Sequence, residues 1–402
     1  MKRTIWIILV SLACDVAHAD GFWSQFEDPD DGRFDASGYL ADNAYGFLPI
    51  PIIITDPAVD GGLGLAGLFF HETDEQKKKR LEMLRNSEDG SQFLLTPSVS
   101  AVAAATTGND SWFAGGGHMG FFKQGSIRYM GGGGYGDVNL DFFGFGEVQM
   151  VNPLELNTKA AMVMQSLKFR IGDSSFFVGP VQRFVDARIM PKSLGDLSGD
   201  ILPPEFQDRW QEFVRNLLTQ DVRTSGLGIV ASFDSRDNFF SPRAGYRYEV
   251  EHLWFRDSFG SDIEYQLTSF SGLNYWNLTD KFRAALRIGG DYAATDSLLP
   301  PFAMPGIELR GLPAMRYQGN VVAVAETELT WQVDARWALL AFAGVGRTAN
   351  SVSELEDSPS RVAKGVGFRY LIAKRYGFEM GMDVARGPEE DVIYIQGGTA
   401  WR

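Results

Sequence analysis

The sequence predicts an all-β protein, a sixteen-stranded antiparallel transmembrane β-barrel in which one long extracellular loop folds inward. Three observations support this prediction. The chain begins with an export signal, segments of about ten residues alternate between apolar and polar side chains, and no later apolar run is long enough for a spanning helix. The chain also contains 45 glycines and 13 % aromatic residues, a composition typical of outer-membrane barrels.

Composition and charge exclude two classes of function. A formal net charge of −14 argues against nucleic acid as a partner. The histidines that follow the signal, His71, His118 and His252, stand in separate elements, so no catalytic triad or metal-ligand spacing emerges. We therefore expect no enzymatic activity, no metal site and no cofactor.

The amino terminus reads MKRTIWIILVSLACDVAHAD, with two basic residues, an apolar run and an A-x-A sequence at 17–19. This pattern is typical of a secretory signal peptide. The only cysteine, Cys14, lies within it, so we expect no disulfide; acylation of Cys14, as in a lipoprotein, is the alternative. The predicted organisation is a signal peptide over 1–19, an acidic periplasmic segment over 20–60 and a transmembrane β-barrel over 61–402.

The acidic segment contains FEDPDDGRFD, a fragment of a calcium-loop pattern that lacks the full ligand spacing and the distal glutamate. A solvated periplasmic tail is therefore the favoured interpretation. The sequence FLPIPIIITDPAV follows, and its prolines exclude a central strand position. We expect this extended apolar piece to plug or line the mouth of the barrel.

Alternation and turn signals then place sixteen strands. The glycine runs 115–117 and 131–134 indicate bends or close backbone approach. Loop 189–221 contains apolar residues at helical spacing, which predict a short capping helix. The predicted strands are 62–70, 92–106, 111–122, 125–135, 137–149, 158–171, 175–188, 222–234, 246–254, 262–276, 281–293, 321–333, 336–347, 361–372, 376–386 and 391–401.

The stretch PGIELRGLPAMRYQGN, at Pro305 to Asn320, is a long loop because glycine and proline interrupt it. The strand after it carries Glu326 and Glu328 on its polar face, and these carboxylates need water or a cation. Arg310 and Arg316, in the loop just upstream, could supply that charge. We therefore expect the loop to fold back so that Arg310 pairs with one of the two glutamates.

One further turn is predicted by the sequence DSRDNFFSPRAG. The strand that follows it places aromatic residues on one face and charged residues on the other, which implies a lipid face and a wet lumen. The residues that define this periplasmic turn motif are Asp234, Arg236, Asp237, Pro242 and Gly245.

Together, the LRG sequence in a long loop between the eleventh and twelfth strands, the acidic strand after it, the DSRDNFFSPRAG turn and the glycine-rich first strand resemble the BamA/TamA superfamily, also called bacterial surface antigens. The resemblance covers roughly 46–402 and implies a sixteen-stranded barrel whose sixth extracellular loop enters the lumen. It implies that Leu309, Arg310 and Gly311 form the loop motif. It further implies that a glutamate of the next strand holds Arg310, and Glu328 is the best match.

Three features depart from the family. The periplasmic POTRA domains that receive client chains are missing, so the chain resembles the subgroup without them. The second acidic partner on the thirteenth strand is absent, because Gly344 stands where a carboxylate is expected. The last strand ends in Trp401-Arg402 and not in phenylalanine. These departures leave the expected fold intact and put a full insertase activity in question.

The resemblance implies outer-membrane biogenesis by protein insertion or by translocation of lipid or protein, in the outer membrane of a Gram-negative-type bacterium. A passive pore or structural barrel is the alternative. The expected partners are outer-membrane lipids, lipopolysaccharide, and either client outer-membrane proteins or a separate periplasmic protein.

Glycine weakens strand pairing, so the seam between the first and last strands is expected to be the weakest closure of the barrel. The glycines concerned are Gly62 and Gly64 on one side of the seam and Gly397 and Gly398 on the other. The other explanation for these glycines is that they relieve crowding where the barrel bends.

Overall fold

The computed structural model describes residues 23–42, 47–71, 78, 98–123, 125–145, 148–191, 221–238, 241–374, 377–398 and 401. The predicted signal peptide and the predicted helix in loop 189–221 lie outside these ranges. Within them, sixteen strands form one antiparallel sheet in which each strand pairs with the next along the chain. The sheet forms a nearly closed barrel, which confirms the predicted fold class.

The described helices are short, and none of them has the length and apolarity to cross a membrane. One of them, α1, is an α-helix at Ser37–Asp42, and four 3-10 turns lie at Trp23–Phe26, Pro57–Val59, Asp257–Phe259 and Val352–Glu354. The strands are Phe47–Ile54 (β1), Gly62–His71 (β2), Ser98–Thr107 (β3), Trp112–Phe122 (β4), Ile127–Phe145 (β5), Val148–Arg170 (β6), Phe176–Pro191 (β7), Asp221–Asp234 (β8), Gly245–Phe255 (β9), Tyr265–Asn277 (β10), Phe282–Ala294 (β11), Val321–Gln332 (β12), Trp337–Ala349 (β13), Arg361–Ala373 (β14), Phe378–Arg386 (β15) and Asp391–Gly397 (β16).

Side chains alternate between the outer surface and the lumen. On the lumenal face of β6 to β9, Lys168 lies 2.5 Å from Glu249 and Arg183 lies 2.5 Å from Glu251. The lumenal face of β5 and β6 instead exposes methionines, including Met130. The lumenal face of β5 and β6 therefore carries exposed methionines beside charged residues such as Lys168.

The predicted strand assignment was wrong at two positions. One error omitted a strand and the other divided one strand into two, so the predicted total of sixteen strands was still correct. The apolar segment expected to plug or line the mouth forms β1, which pairs with β2 in register from Phe47↔Phe69 to Ile54↔Gly62. The barrel sheet therefore begins at Phe47, before the predicted boundary at 61. Because β1 is an edge strand of the described sheet, Pro49 and Pro51 are tolerated although they lack an N–H.

The second error was to divide β5 into two strands at its glycines. Gly132, Gly133 and Gly134 are extended and pair with the glycine run of β4. A Cβ on Gly134 would lie 2.8 Å from the Ala114 carbonyl oxygen, and one on Gly132 would lie 2.9 Å from the Gly116 carbonyl oxygen. These glycines permit a close approach of two backbones and do not end the strand.

Candidate functional site

The loop between β11 and β12 folds back on itself and enters the lumen. The Ile307 amide donates to the Tyr317 carbonyl at 2.9 Å and the Gly319 amide donates to the Pro305 carbonyl at 3.0 Å, so the loop forms an irregular hairpin. The apolar side chains of this hairpin pack against the lumenal face of β12 in a buried cluster made of Ile307, Leu309, Leu312, Tyr317, Val322 and Val324. This packing places the Leu309-Arg310-Gly311 tip among the charged lumenal side chains.

Arg310 lies between three carboxylates. Its Nε is 2.6 Å from Glu326 Oε1, its Nη1 is 2.8 Å from Asp383 Oδ2 and its Nη2 is 2.9 Å from Glu328 Oε2. Asp383 also accepts hydrogen bonds from both Nη atoms of Arg369, at 2.5 and 2.9 Å. Since Arg310, Glu326 and Asp383 are all buried, the cluster satisfies charges that would be costly to bury alone.

Two aromatic rings enclose this ion cluster. The guanidinium carbon of Arg310 lies 3.6 Å from the centre of the Phe342 ring, within the range of a cation–π contact. Trp401 is buried, and its indole Nε1 donates to Glu326 Oε2 at 3.1 Å. Both oxygens of Glu326 are therefore bonded, and the site excludes water on this side.

Gly311 allows the tip to approach the last strands. Its φ of 95° lies in the left-handed region, and a Cβ there would lie 3.2 Å from the Gly387 nitrogen. The Gly311 amide donates to the Tyr394 hydroxyl at 2.9 Å. A larger residue at this position would push the tip away from β15 and β16.

The structure brings the predicted loop residues together and shows which glutamate makes the better contact with Arg310. Glu328 was the expected partner of Arg310, but its Oε2 and the Arg310 Nη2 are not aligned for a hydrogen bond. Glu326 makes the aligned contact and is more deeply buried. The arginine therefore uses both glutamates, with Glu326 as the stronger partner.

The second acidic partner, expected to be absent, is supplied by Asp383 on β15. Gly344 stands where the resemblance implies a carboxylate, and a Cβ there would lie 3.0 Å from Leu309 Cδ2 and 3.2 Å from Glu326 Cγ. The loop therefore packs into the space that a side chain at 344 would take. The alternation of β15 could have identified Asp383 as a lumenal carboxylate.

Further contacts tie the loop to the connection between β15 and β16. The Tyr317 hydroxyl donates to Glu389, and Arg316 Nη2 lies 3.7 Å from the same carboxylate. Burial raises the pKa of Tyr317 to about 12, and the hydrogen bond to Glu389 adds to that effect. The loop thus holds the β16 side of the seam at several points.

The predicted periplasmic turn between β8 and β9 is closed by its own side chains. Arg236 Nε donates to Asp234 Oδ1 at 2.9 Å, and the Arg243 amide donates to Asp237 Oδ1 at 2.9 Å. Gly245 has a φ of 103°. Pro242 lines a cavity of about 40 Å³ that also contacts Glu328, so the turn reaches the lumenal cluster.

The predicted seam glycines lie in different positions from those expected. Gly62 and Gly64 belong to β2, an interior strand, and a Cβ on Gly62 would lie 2.4 Å from the Thr106 carbonyl oxygen of β3. They relieve crowding in a paired ladder. Gly397 ends β16, and Gly398 turns the chain with a φ of 77°. The described residues form no ladder between β1 and β16, so the seam lies between these two strands.

A second buried arginine lies at the end of the barrel opposite the long loop. Arg336, in the turn between β12 and β13, is bonded to Asp28, to Asp31 at 2.8 Å and to Asp35 at 2.6 Å. Lys374, in the turn between β14 and β15, lies 3.2 Å from Asp28. The acidic residues were expected to form a solvated tail, and this was wrong because the barrel turns supply cations that bind them.

Backbone contacts complete this attachment. The Ala36 amide donates to the Ile372 carbonyl at 2.7 Å, and the Tyr370 hydroxyl donates to the Phe34 carbonyl at 2.8 Å. We call Asp28–Ser37 the N-terminal segment. Its carboxylates face Arg336, and among the described residues no group of His, Cys, Asp and Glu side chains is arranged to hold a metal ion.

Comparison with known proteins identifies the fold. No protein-family model and no curated protein sequence matches the chain. The BamA structure from Haemophilus ducreyi lacking POTRA domains 1–3 matches with a TM-score of 0.52 and 12 % identity, over 88 % of this chain and 70 % of that one. CdiB from Escherichia coli matches with a TM-score of 0.53 and 10 % identity, over 87 % of this chain and 61 % of that one.

CdiB from Acinetobacter baumannii gives a TM-score of 0.54 and 11 % identity, over 86 % of this chain and 58 % of that one. The chain thus spans about three fifths of the length of the two CdiB proteins. The sixteen-stranded antiparallel barrel is the fold that this chain shares with the BamA and CdiB barrels, as the resemblance in sequence implied.

Proposed function

We propose that this chain, which has the barrel fold of BamA and CdiB, acts in outer-membrane biogenesis by admitting client proteins at the seam between β1 and β16. The observation that carries the proposal is the absence of a β1–β16 ladder among the described residues. Every other neighbouring pair of strands is hydrogen bonded. An unpaired edge is a template for another strand, and a membrane barrel normally removes such edges.

The two sides of the seam differ in how firmly they are held. On the β16 side, Arg310 binds Asp383 of β15, and Gly311 binds Tyr394 of β16. In the described part of the chain, β1 is held by its ladder to β2, which contains two prolines that donate no hydrogen bond. We expect β1 to move and β16 to stay in place when a client strand enters.

A locked seam tests the proposal. Cysteine pairs are introduced on the outer surface, with Ile53 of β1 opposite Ile393 or Ile395 of β16, and the purified barrel is reconstituted in liposomes. The probe is an unfolded eight-stranded barrel protein, whose folding is followed by its heat-modified gel mobility. We expect acceleration by the wild type, loss of acceleration on oxidation and recovery on reduction.

The matched control is a cysteine pair at Leu65 and Ala104, which already face each other in the β2–β3 ladder. This pair should oxidise without changing the acceleration. Equal acceleration by the locked and reduced seam would reject lateral entry. Steady ion conductance with no effect on the added protein would favour a passive pore.

A further inference from the structure

A row of polar side chains crosses the lipid-facing surface of the barrel, where apolar side chains are normal. One residue of each strand from β2 to β7 contributes to it. The members of this polar row are His71, Ser100, His118, Tyr129, Gln165 and Gln182.

Strand register and alternation place the row on the outer surface. Ser100 pairs with Phe69, which is exposed on the same face of β2 as Leu63 and Leu65. Gln165 pairs with Gln182. The next residue after Gln182 is Arg183, whose ion pair with Glu251 lies in the lumen, so Gln182 faces outward.

The side chains of the row bind one another across the strands. Ser100 Oγ lies 2.8 Å from His71 Nε2 and 2.9 Å from His118 Nδ1. The Tyr129 hydroxyl donates to Gln165 Oε1 at 3.3 Å, and Gln165 Nε2 donates to Gln182 Oε1 at 2.5 Å. Within the described part of the chain, the side-chain nitrogen of Gln182 donates to no protein atom.

Glycines on the same face give the row its shape. A Cβ on Gly131 would lie 2.3 Å from the Tyr129 hydroxyl, and one on Gly120 would lie 3.0 Å from His118 Nε2. Without these side chains, the tyrosine and histidine lie flat along the barrel wall. The result is a shallow polar groove rather than a set of isolated side chains.

The row rises from the periplasmic rim into the membrane. His71 is the last residue of β2, at the end of the barrel where β1 begins and β16 ends. On β7, Phe176, Val178 and Pro180 face outward between the periplasmic turn and Gln182. Six residues of a strand tilted by about 40° rise roughly 15 Å, which is beyond the middle of an apolar band about 25 Å tall.

We propose that the polar row binds the headgroup of a phospholipid from the periplasmic leaflet and holds it below the membrane surface. Uncovered amide and imidazole groups are costly in hydrocarbon, and a phosphate accepts from the amide and ring N–H donors that the row presents. The row is continuous with the rim, where these headgroups reside. This site does not rest on the function proposed for the seam.

A photoreactive lipid tests the site. The barrel is reconstituted in liposomes of phosphatidylethanolamine and phosphatidylglycerol with a trace of phosphatidylethanolamine that carries a diazirine on its headgroup. Labelled peptides are mapped by mass spectrometry. We expect labelling on β5 to β7 near Gln165 and Gln182, and about tenfold less in the Gln165→Leu/Gln182→Leu variant, since two lipid-facing hydrogen-bonding groups are lost.

Gly131→Ala provides a second variant that keeps both glutamines. The added methyl displaces the Tyr129 hydroxyl from Gln165, and labelling should fall by a smaller factor. Leu329→Gln is the matched control, because it places one amide on the lipid-facing surface of β12, away from the polar row. This variant should gain no label at β12. Heat-modified mobility checks that each variant is folded.

Two results would overturn the proposal. One is equal labelling of the wild type and the double glutamine variant. The other is that the wild type is a dimer and the double glutamine variant a monomer, as measured by native mass spectrometry in lipid nanodiscs. A second copy of this chain would then occupy the row.

Discussion

Two buried arginines, each among three carboxylates, fix segments at opposite ends of the barrel. Arg310 lies on a loop and binds carboxylates of the strands, whereas Arg336 lies in a barrel turn and binds carboxylates of the N-terminal segment. The loop arginine is enclosed by Phe342 and Trp401. The turn arginine is enclosed by the segment that it binds.

This difference decides what happens when each contact breaks. Glu326 and Asp383 belong to strands and stay in the lumen after the loop has gone. Asp28 and Asp35 leave with their segment and regain water. The first contact should therefore govern the stability of the barrel, and the second should govern the docking of one segment.

The largest effect is expected for Arg310→Ala. It leaves Glu326 buried without its cation, whereas Asp383 keeps its ion pair with Arg369, and loss of one member of a buried pair costs about 3–5 kcal/mol. Urea unfolding in detergent, heat-modified mobility and protease resistance report this loss. Arg316→Ala removes a cation that lies 3.7 Å from Glu389 and 4.9 Å from the centre of the Tyr317 ring, and it should cost less, about 1–2 kcal/mol. Equal stability of the two variants would contradict the role of Arg310.

Replacing the two glutamates one at a time measures which of them binds Arg310 more strongly. Glu326→Gln weakens the contacts with Arg310 and Trp401, so we expect a loss of about 2 kcal/mol. Glu328→Gln alters a pair that is not aligned for a hydrogen bond and should cost about half as much. A larger cost for Glu328→Gln in the same unfolding experiment would show that Glu328 is the main partner.

The sequence was sufficient to predict the loop and its arginine, because alternation assigns Glu326 and Glu328 to one strand face and glycines mark the loop before them. It could not identify Asp383 as a partner of Arg310, although alternation places this carboxylate in the lumen, since β15 is distant along the chain and only the barrel brings the two residues together. The glycine at position 344 is explained only by the structure, in which Leu309 occupies the space beside it.

The N-terminal segment was misjudged for a related reason. Six acidic residues near one arginine are typical of a solvated tail, and nothing local indicates that Arg336, some 300 positions later, is their partner. The prolines of β1 were interpreted correctly as unsuited to a central strand. We did not consider that the same prolines are tolerated in an edge strand at the seam.

Arg336→Ala should release the N-terminal segment while the barrel stays folded. We expect a local loss of about 2 kcal/mol, seen as proteinase K cleavage within Asp28–Ser37 at unchanged heat-modified mobility. The matched control is Arg33→Ala, which removes one exposed ion pair with Asp334 and should leave the segment protected. Cleavage at the wild-type rate in Arg336→Ala would argue against this attachment.

The smallest effect is expected from acid. Burial raises the pKa of Asp35, but hydrogen bonds from Ser37 and Arg336 outweigh it, so the pKa lies below its ordinary value of 3.8. The hydrogen bond from Arg336 likewise lowers the pKa of Asp31. A carboxylate with a lowered pKa stabilises the docked state above its ordinary value, and this stabilisation is lost as the pH falls through the lowered value.

We therefore expect the N-terminal segment to stay docked from neutral pH to about 4 and to detach progressively below it. Pepsin cleavage near Phe34 between pH 4 and pH 2 measures the detachment, and heat-modified mobility reports the barrel in the same samples. Asp35→Asn removes one of the titrating groups, so its segment should be less protected at pH 4 and should respond less to further acid. Detachment with a midpoint well above 3.8, or an unchanged response in Asp35→Asn, would mean that other groups control the docking.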